Sequence, residues 1–388
     1  RRRDDDGMAD RYDVIVVGVG GMGSATVSHL AERGVDVLGL EQYDIPHNKG
    51  SSHGITRLIR KPQYEDPAYV PLVRRAYELW EELEEKTGRQ LLYRTGGLDI
   101  GAPDSQVYSG SVQSCEAHNI SHQILSADEI NERFPGYELP ENHRGVYQPD
   151  SGFLVPEQCI IAHVRAAQQS GAEIRAREPV TDISPTPDGG VQVTSQKDTY
   201  EANRVVVTAG AWAQKLVPEL TGLAVPERQV LAWFQPKDPD QFAPRSFPVF
   251  VHAAEDGHYY GFPEHDVPGF KFGKFNHFEE VVDPDEMDRQ PRPEDESLLR
   301  EYGQQYFPDG VGPTMRLATC MFTNTPDEHF ILDTLPDHPQ ITVGAGFSGH
   351  GFKFASAIGE VLADLALENT PGHDLDLFRL SRFESSRS

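Results

Sequence analysis

A chain of 388 residues with 38% hydrophobic content is long enough for two domains and apolar enough for a packed core, so it is not disordered as a whole. Its 61 acidic against 35 basic residues give a formal charge of −26, which excludes nucleic acid and anionic membrane as general partners. Lysine is scarce, nine residues beside twenty-six arginines, and under such an acid excess this predicts adaptation to concentrated (halophilic) salt, where a Debye length of about 3 Å at 1 M screens the carboxylates.

The opening RRRDDDGMAD carries paired arginines, but no apolar stretch follows before the first strand, so no twin-arginine leader is expected. No run approaches the roughly 18 apolar residues of a membrane span. Cys115, Cys159 and Cys320 share no metal-type spacing and cannot all pair, which points to a reduced, cytoplasmic interior.

YDVIVV at 12–17 is a nearly continuous β-branched run, as expected of a strand buried on both faces of a parallel sheet. It runs into Gly18, Gly20 and Gly23 of GVGGMG and then into SATVSHLAERG, whose apolar residues recur at helical spacing until Gly34. A second strand at 35–40 is followed by Glu41. Strand, glycine turn, helix, strand and acid in that order predict a dinucleotide site, with pyrophosphate at the helix N-terminus and Glu41 on the adenosine ribose. The later runs RVVVTAGA at 204–211 and ITVGAGFSGHGFKF at 341–354 predict two more glycine-bearing strand ends converging on the same place.

Between these lie the residues with reactive chemistry. HGITRLIR holds His53, Arg57 and Arg60; the two guanidinium groups, three residues apart, are expected to share one helical or turn face and meet a carboxylate, with Leu58 and Ile59 partly buried. GFKF occurs twice. In the first copy alternation puts Phe270 and Phe272 on one strand face and Lys271 on the other, where Gly269 and Gly273 leave an open patch for a flat ligand; an ordinary edge-strand lysine is the alternative. The stretch at 283–296 reads as an exposed acidic excursion. In the second copy Phe354, Ile358, Val361, Leu362 and Leu365 share a helix face, setting the helix start near 350–351. Lys353 then falls in the first turn, against the dipole, and either meets an anion or polarised carbonyl or snorkels to water.

The motifs DVIVVGVGGMG, GSSHGITRLIR, YYGFP, GFKFG, ATCMFTNTPDEHFILD and GAGFSGHGFKF, in this order, resemble the monomeric sarcosine oxidase family of flavoprotein amine oxidases, which includes N-methyltryptophan oxidase, from about Tyr12 to Phe378. The resemblance implies an α/β fold: a discontinuous Rossmann-like FAD-binding domain (9–94, 151–221 and 325–388) and a second domain built on an antiparallel sheet (95–150 and 222–324) that roofs the flavin. It assigns Gly18, Gly20, Gly23, Glu41, Gly349 and Lys353 to FAD binding, Cys320 to a thioether with the flavin, and His53 and Arg57 to the flavin and its ligand. It further assigns Arg60 with Lys353 to the substrate carboxylate, Tyr260 to the active site and Lys271 to oxygen activation. A monomer is implied, oxidising an N-methyl amino acid with molecular oxygen to the amino acid, formaldehyde and hydrogen peroxide. A flavin dehydrogenase with another acceptor and a non-catalytic redox sensor are the alternatives. Two positions depart from the pattern. Phe275 stands where the family has a histidine four residues after the lysine, and Phe322 where it has a tyrosine two residues after the cysteine. His277 lies close enough to Phe275 that a local shift could restore a polar contact.

Overall fold

The computed structural model describes residues 10–386, so the paired arginines of the N-terminus lie outside the described residues. The apolar run at 12–17 forms the strand Asp10–Val17, and both its faces are covered: Val14 and Val16 belong to one core cluster, Ile15 and Val17 to another. It lies parallel between Val37–Leu40 and Thr199–Val207, the latter also pairing parallel with Ile341–Ala345. Glu173–Arg175 extends this eight-stranded sheet beyond Val37–Leu40, and an antiparallel hairpin, Val180–Pro185 and Val191–Ser195, closes the other side. Helices Gly21–Glu32 and Ala355–Ala366 pack together on one face, burying Val27, Leu30, Ile358 and Val361. Registers Val17 to Val207 and Val207 to Val343 bring Gly18, Thr208 and Gly346 to one end of the sheet, the expected convergence of three strand ends.

A second eight-stranded sheet runs in the order Thr314–Asn324, Val225–Phe234, Phe270–Lys274, Gly257–Phe262, Val249–Ala254, Gly97–Gly101, Arg144–Gln148 and Gln123–Ser126. It is antiparallel except where Val249–Ala254 meets Gly97–Gly101. The period of two sorts its side chains: Phe234, Phe270 and Phe272 enter one aromatic core, while Trp233, Phe262, Cys320 and Phe322 face the other side. Arg57–Ile59, Gly152–Leu154 and Leu92–Arg94 form a third, three-stranded sheet.

The stretch at 283–296 is the exposed acidic excursion its composition suggests at Asp283, Asp285, Glu286, Asp288 and Glu294, but not at Asp295. Asp295 is fully buried and takes both Nη groups of the equally buried Arg228 at 2.9 Å, the Arg292 amide at 2.7 Å and His277 Nε2 at 2.8 Å. Burial alone would raise this carboxyl; the hydrogen bonds from Arg228, the Arg292 amide and His277 pull it down to about 2. The pairing occupies Nε2 of His277 and leaves only its buried Nδ1 without a hydrogen-bond partner among the described residues. Asp295→Ala strands a buried guanidinium and is expected to cost about 3–5 kcal/mol, read as a drop in unfolding free energy by chemical denaturation. A loss below about 1 kcal/mol, the range of an exposed ion pair, would contradict this.

Candidate active site

The glycine turn is built as a cradle. Gly18 has φ +95°, and a Cβ there would stand 2.4 Å from the Thr208 carbonyl oxygen; a Cβ on Gly23 would stand 1.7 Å from the Gly18 oxygen. Gly20 differs: nothing lies within 4 Å of its missing Cβ, and it lines a cavity of about 440 Å³. Helix Gly21–Glu32 starts at this cavity with no side-chain cap and no acid in its first turn, so its N-terminal N–H groups are left for an anion. Across the turn, buried Glu41 is fixed by Val19 N at 2.9 Å and Tyr43 N at 3.1 Å. Val180 and Thr181 border the cavity, as do Arg57, Met321, Phe322 and Gly349. Glycine cradle, open helix end, fixed acid and a cavity that reaches from them to Arg57 and Phe322 fit a flavin dinucleotide.

At the border formed by Arg57 and Met321, Cys320 is buried with its Sγ 3.3 Å from Arg57 Nη2. Arg57 spends its other hydrogen bonds on the Ser51 and Thr56 carbonyls, and none of the ion pairs among the described residues uses it. Arg57 and Arg60 do not share a face. The segment is the strand Arg57–Ile59, in which positions three apart point to opposite sides, so Arg60 turns away to Asp99 at 3.3 Å and Glu65 at 3.2 Å. Ile59 is fully buried and Leu58 half-buried, as expected. His53 contributes no charge to the expected basic cluster: burial and then Arg57 push its pKa down to about 3, and Nε2 lies 3.1 Å from the Gly50 carbonyl.

Lys353 precedes the helix rather than opening it. Residues Phe352–Phe354 form a 3₁₀ turn and the α-helix begins at Ala355, later than the apolar spacing indicates. The lysine is 3% exposed, which overturns snorkelling, and donates to the His350 carbonyl at 2.7 Å. Burial and then Arg60 lower its pKa to about 7, with Glu65 and Asp99 opposing. Of the two cations expected to be open for a substrate carboxylate, Arg60 is already countered, because a buried guanidinium requires a counter-charge, and Lys353 is held by a backbone carbonyl. Arg60 and Lys353 do not line the first cavity, nor another of about 610 Å³ that their neighbours Glu65 and His350 border.

Lys271 is buried in the interior of the second sheet, with Trp233 and Phe262 as its cross-strand neighbours, so it is not an edge lysine. Its Nζ donates to Gly54 O at 2.8 Å, Thr56 O at 2.7 Å and Thr56 Oγ1 at 3.0 Å, and sits 4.3 Å from the Phe262 ring centre. Burial and then Arg57 hold it well below the usual lysine range. The expected open patch beside it is filled: a Cβ on Gly269 would meet Trp233 at 2.9 Å, and one on Gly273 the Tyr260 hydroxyl at 2.5 Å. Tyr260 itself packs edge-on against Phe275 at 4.8 Å, and Phe275 lies 5.9 Å from Phe322. Phe322 borders the first cavity and Phe275 the second, and Ser348 borders both. Sequence reasoning missed Thr56, Glu65, Asp99 and Glu157. Each is defined by a partner distant in sequence or by a turn, and no spacing marks them. Among the described residues no cluster of His, Cys, Asp and Glu suits a metal ion, and no helix is long and apolar enough to cross a membrane.

Comparison with known proteins agrees with this geometry. The profile of the DAO family, FAD dependent oxidoreductase, matches residues 13–365. The chain is 43% identical to monomeric sarcosine oxidase of Streptomyces avermitilis, over 96% of this chain and 97% of that one. It is 37% identical to N-methyl-L-tryptophan oxidase of Salmonella typhi, over 96% and 99%. Among solved structures NikD, described as an unusual amino acid oxidase essential for nikkomycin biosynthesis, superposes with a TM-score of 0.82 at 28% identity, covering 95% of this chain and 97% of that chain. The chain belongs to the FAD-dependent oxidoreductase family.

Proposed function

We propose that the protein is an oxidase of N-methyl amino acids that passes the electrons to molecular oxygen. The observation carrying this reading is the enclosed ammonium of Lys271, held by three hydrogen bonds on the side of the second sheet that also bears Cys320 and Phe322. Bound FAD supplies the two-electron oxidation of the amine and the return of those electrons to oxygen. The chain supplies the rest. The cradle and Glu41 hold the adenosine diphosphate end, Cys320 provides the sulfur for a thioether link, and Arg57 sets a fixed positive charge against that sulfur. Lys271 places its ammonium where negative charge develops as oxygen is reduced, in a site walled by Trp233 and Phe262. Segments 9–94, 151–221 and 325–388, which contribute every strand of the first sheet, are assigned to FAD, and 95–150 and 222–324 to the substrate. The three free cysteines and the acid excess support a reduced, salt-rich cytoplasm, and the similarity to monomeric sarcosine oxidase supports a monomer.

Arg60 and Lys353 take the substrate carboxylate in this reading, which then replaces Glu65 on Arg60. Lys353 is charged below about pH 7 and neutral above it, so carboxylate binding should weaken as pH rises. The dissociation constant of a simple carboxylate without an amine, such as acetate, is expected to rise about tenfold or more between pH 6 and 9. Lys353→Met should bind weakly and flatly over that range; a flat profile in the unaltered protein would remove Lys353 from the carboxylate site. The reading as a whole is tested by product stoichiometry. Each N-methyl amino acid consumed should yield one formaldehyde and one hydrogen peroxide, whereas rapid dye reduction without peroxide would mark a dehydrogenase.

A further inference from the structure

We propose that Glu157 is a positioning residue for Lys271, acting through the peptide groups of Gly54 and Ile55; this rests on the reading of Lys271 as the group that serves the oxygen step. Glu157 is the second residue of helix Pro156–Gln169. Its Oε1 accepts from Gly54 N at 2.7 Å and from Ile55 N at 2.9 Å. From the same turn, the Gly54 and Thr56 carbonyls and the Thr56 hydroxyl accept from Lys271 Nζ. Carboxylate and ammonium therefore grip one turn between them, the first by its N–H groups and the second by its oxygens.

The turn does not hold this shape unaided. Gly54 has φ +95°, and Ile55, a β-branched residue, has φ +74°, a conformation such side chains avoid. Consecutive N–H groups turned to one side form an anion nest, and Glu157 fills it with a built-in carboxylate. The packing leaves no slack on the other side. A Cβ at Gly54 would stand 2.6 Å from Leu231, 3.2 Å from Arg57 Nη1 and 3.7 Å from Lys271 Nζ. The second carboxylate oxygen of Glu157, Oε2, is buried with no hydrogen-bond partner among the described residues, so the two amides of the turn are what the side chain serves. An ordinary acid in the first turn of a helix would need none of these contacts.

The test uses the flavin-loaded protein in three forms, Glu157→Ala, Glu157→Gln and Lys271→Met, with hydrogen exchange over residues 51–58 and the two half-reactions measured separately. Glu157→Ala should speed exchange at the Gly54 and Ile55 amides by about tenfold or more. It should also slow the oxygen step about tenfold or more, with the amine step little changed. Glu157→Gln keeps an oxygen for both N–H groups and should restore both readouts. If Glu157→Ala does not fold, Glu157→Asp, whose shorter arm leaves the two N–H groups unreached, takes its place with the same expectations. Unchanged exchange, equal slowing of both half-reactions, or a glutamine variant that recovers exchange but not rate overturns the positioning role. An undiminished oxygen step in Lys271→Met instead refutes the role of Lys271, and exchange alone then judges whether Glu157 holds the turn.

Discussion

Lys271→Met is expected to slow the reaction with oxygen by about 10²–10³-fold, the usual cost of removing one preorganised electrostatic group, and to leave oxidation of the amine far less affected. The substitution suits the site because methionine matches the length of the lysine stem and packs well against Trp233 and Phe262, the rings already beside Nζ. What disappears is the charge and the donors to Gly54 and Thr56. Negative charge develops on oxygen as it is reduced, whereas the amine nitrogen gains positive charge as it is oxidised, so the asymmetry between half-reactions follows from where the cation sits. Anaerobic reduction by substrate, followed by rapid mixing with oxygen, separates the two, and equal losses would reduce Lys271 to a structural lysine.

Cys320→Ala is expected to convert a flavin that stays with acid-precipitated protein into one found wholly in the supernatant. In the strand Thr314–Asn324 the residues that follow it, Met321 and Phe322, border the cofactor cavity. The sulfur is within reach of Arg57 and the carbonyls of Gly50 and Ser51. Cys115 and Cys159 are buried in core clusters and neither borders that cavity, so they cannot supply a replacement link. Burial lifts the thiols of both, Cys115 to about 12 and Cys159 well above the usual range, which leaves them without the thiolate such a bond requires. Free flavin from the unaltered protein would contradict the link.

The parts of this site that were legible in the sequence are those whose geometry is local. The glycine turn, its helix and Glu41 announce themselves because strand, turn and helix follow one another along the chain, with Gly18 and Gly23 each answering a nearby clash. The faces of Phe270, Lys271 and Phe272 also follow from local alternation. Whether Lys271 lay at an edge did not, because that depends on Val225–Phe234 and Gly257–Phe262 pairing on either side. Arg57 and Arg60 were misjudged by assuming a helical or turn period where the chain makes a strand. The start of the last helix was misplaced because a 3₁₀ turn carries the apolar spacing upstream without extending the α-helix. Asp295 read as exposed because its sequence neighbours are charged, while its counter-ion Arg228 lies 67 positions away. Asp99 and Glu157 are likewise defined by long-range partners that no spacing encodes, and Glu65 meets Arg60 across a turn.

An N-methyl amino acid oxidase whose pocket has exchanged polar contacts for Phe275 and Phe322 should prefer apolar side chains. The two rings stand 5.9 Å apart at the junction of the two cavities, with Tyr260 against Phe275. Burying an apolar side chain against them contributes about 1.5–3 kcal/mol, whereas a lost hydrogen bond costs about 0.5–1.5 kcal/mol net. The proposed carboxylate contacts would serve every N-methyl amino acid alike and so would not discriminate. Steady-state peroxide formation with sarcosine, N-methylalanine and N-methyltryptophan, side by side in concentrated salt, puts both the activity and this preference to trial. A substrate with an apolar side chain is expected to exceed sarcosine in kcat/KM by about tenfold or more, since about 1.4 kcal/mol is a factor of ten. Sarcosine as the best of the three would show that the two phenylalanines do not line the side-chain pocket, and peroxide from none of them would contradict the proposed oxidase activity itself.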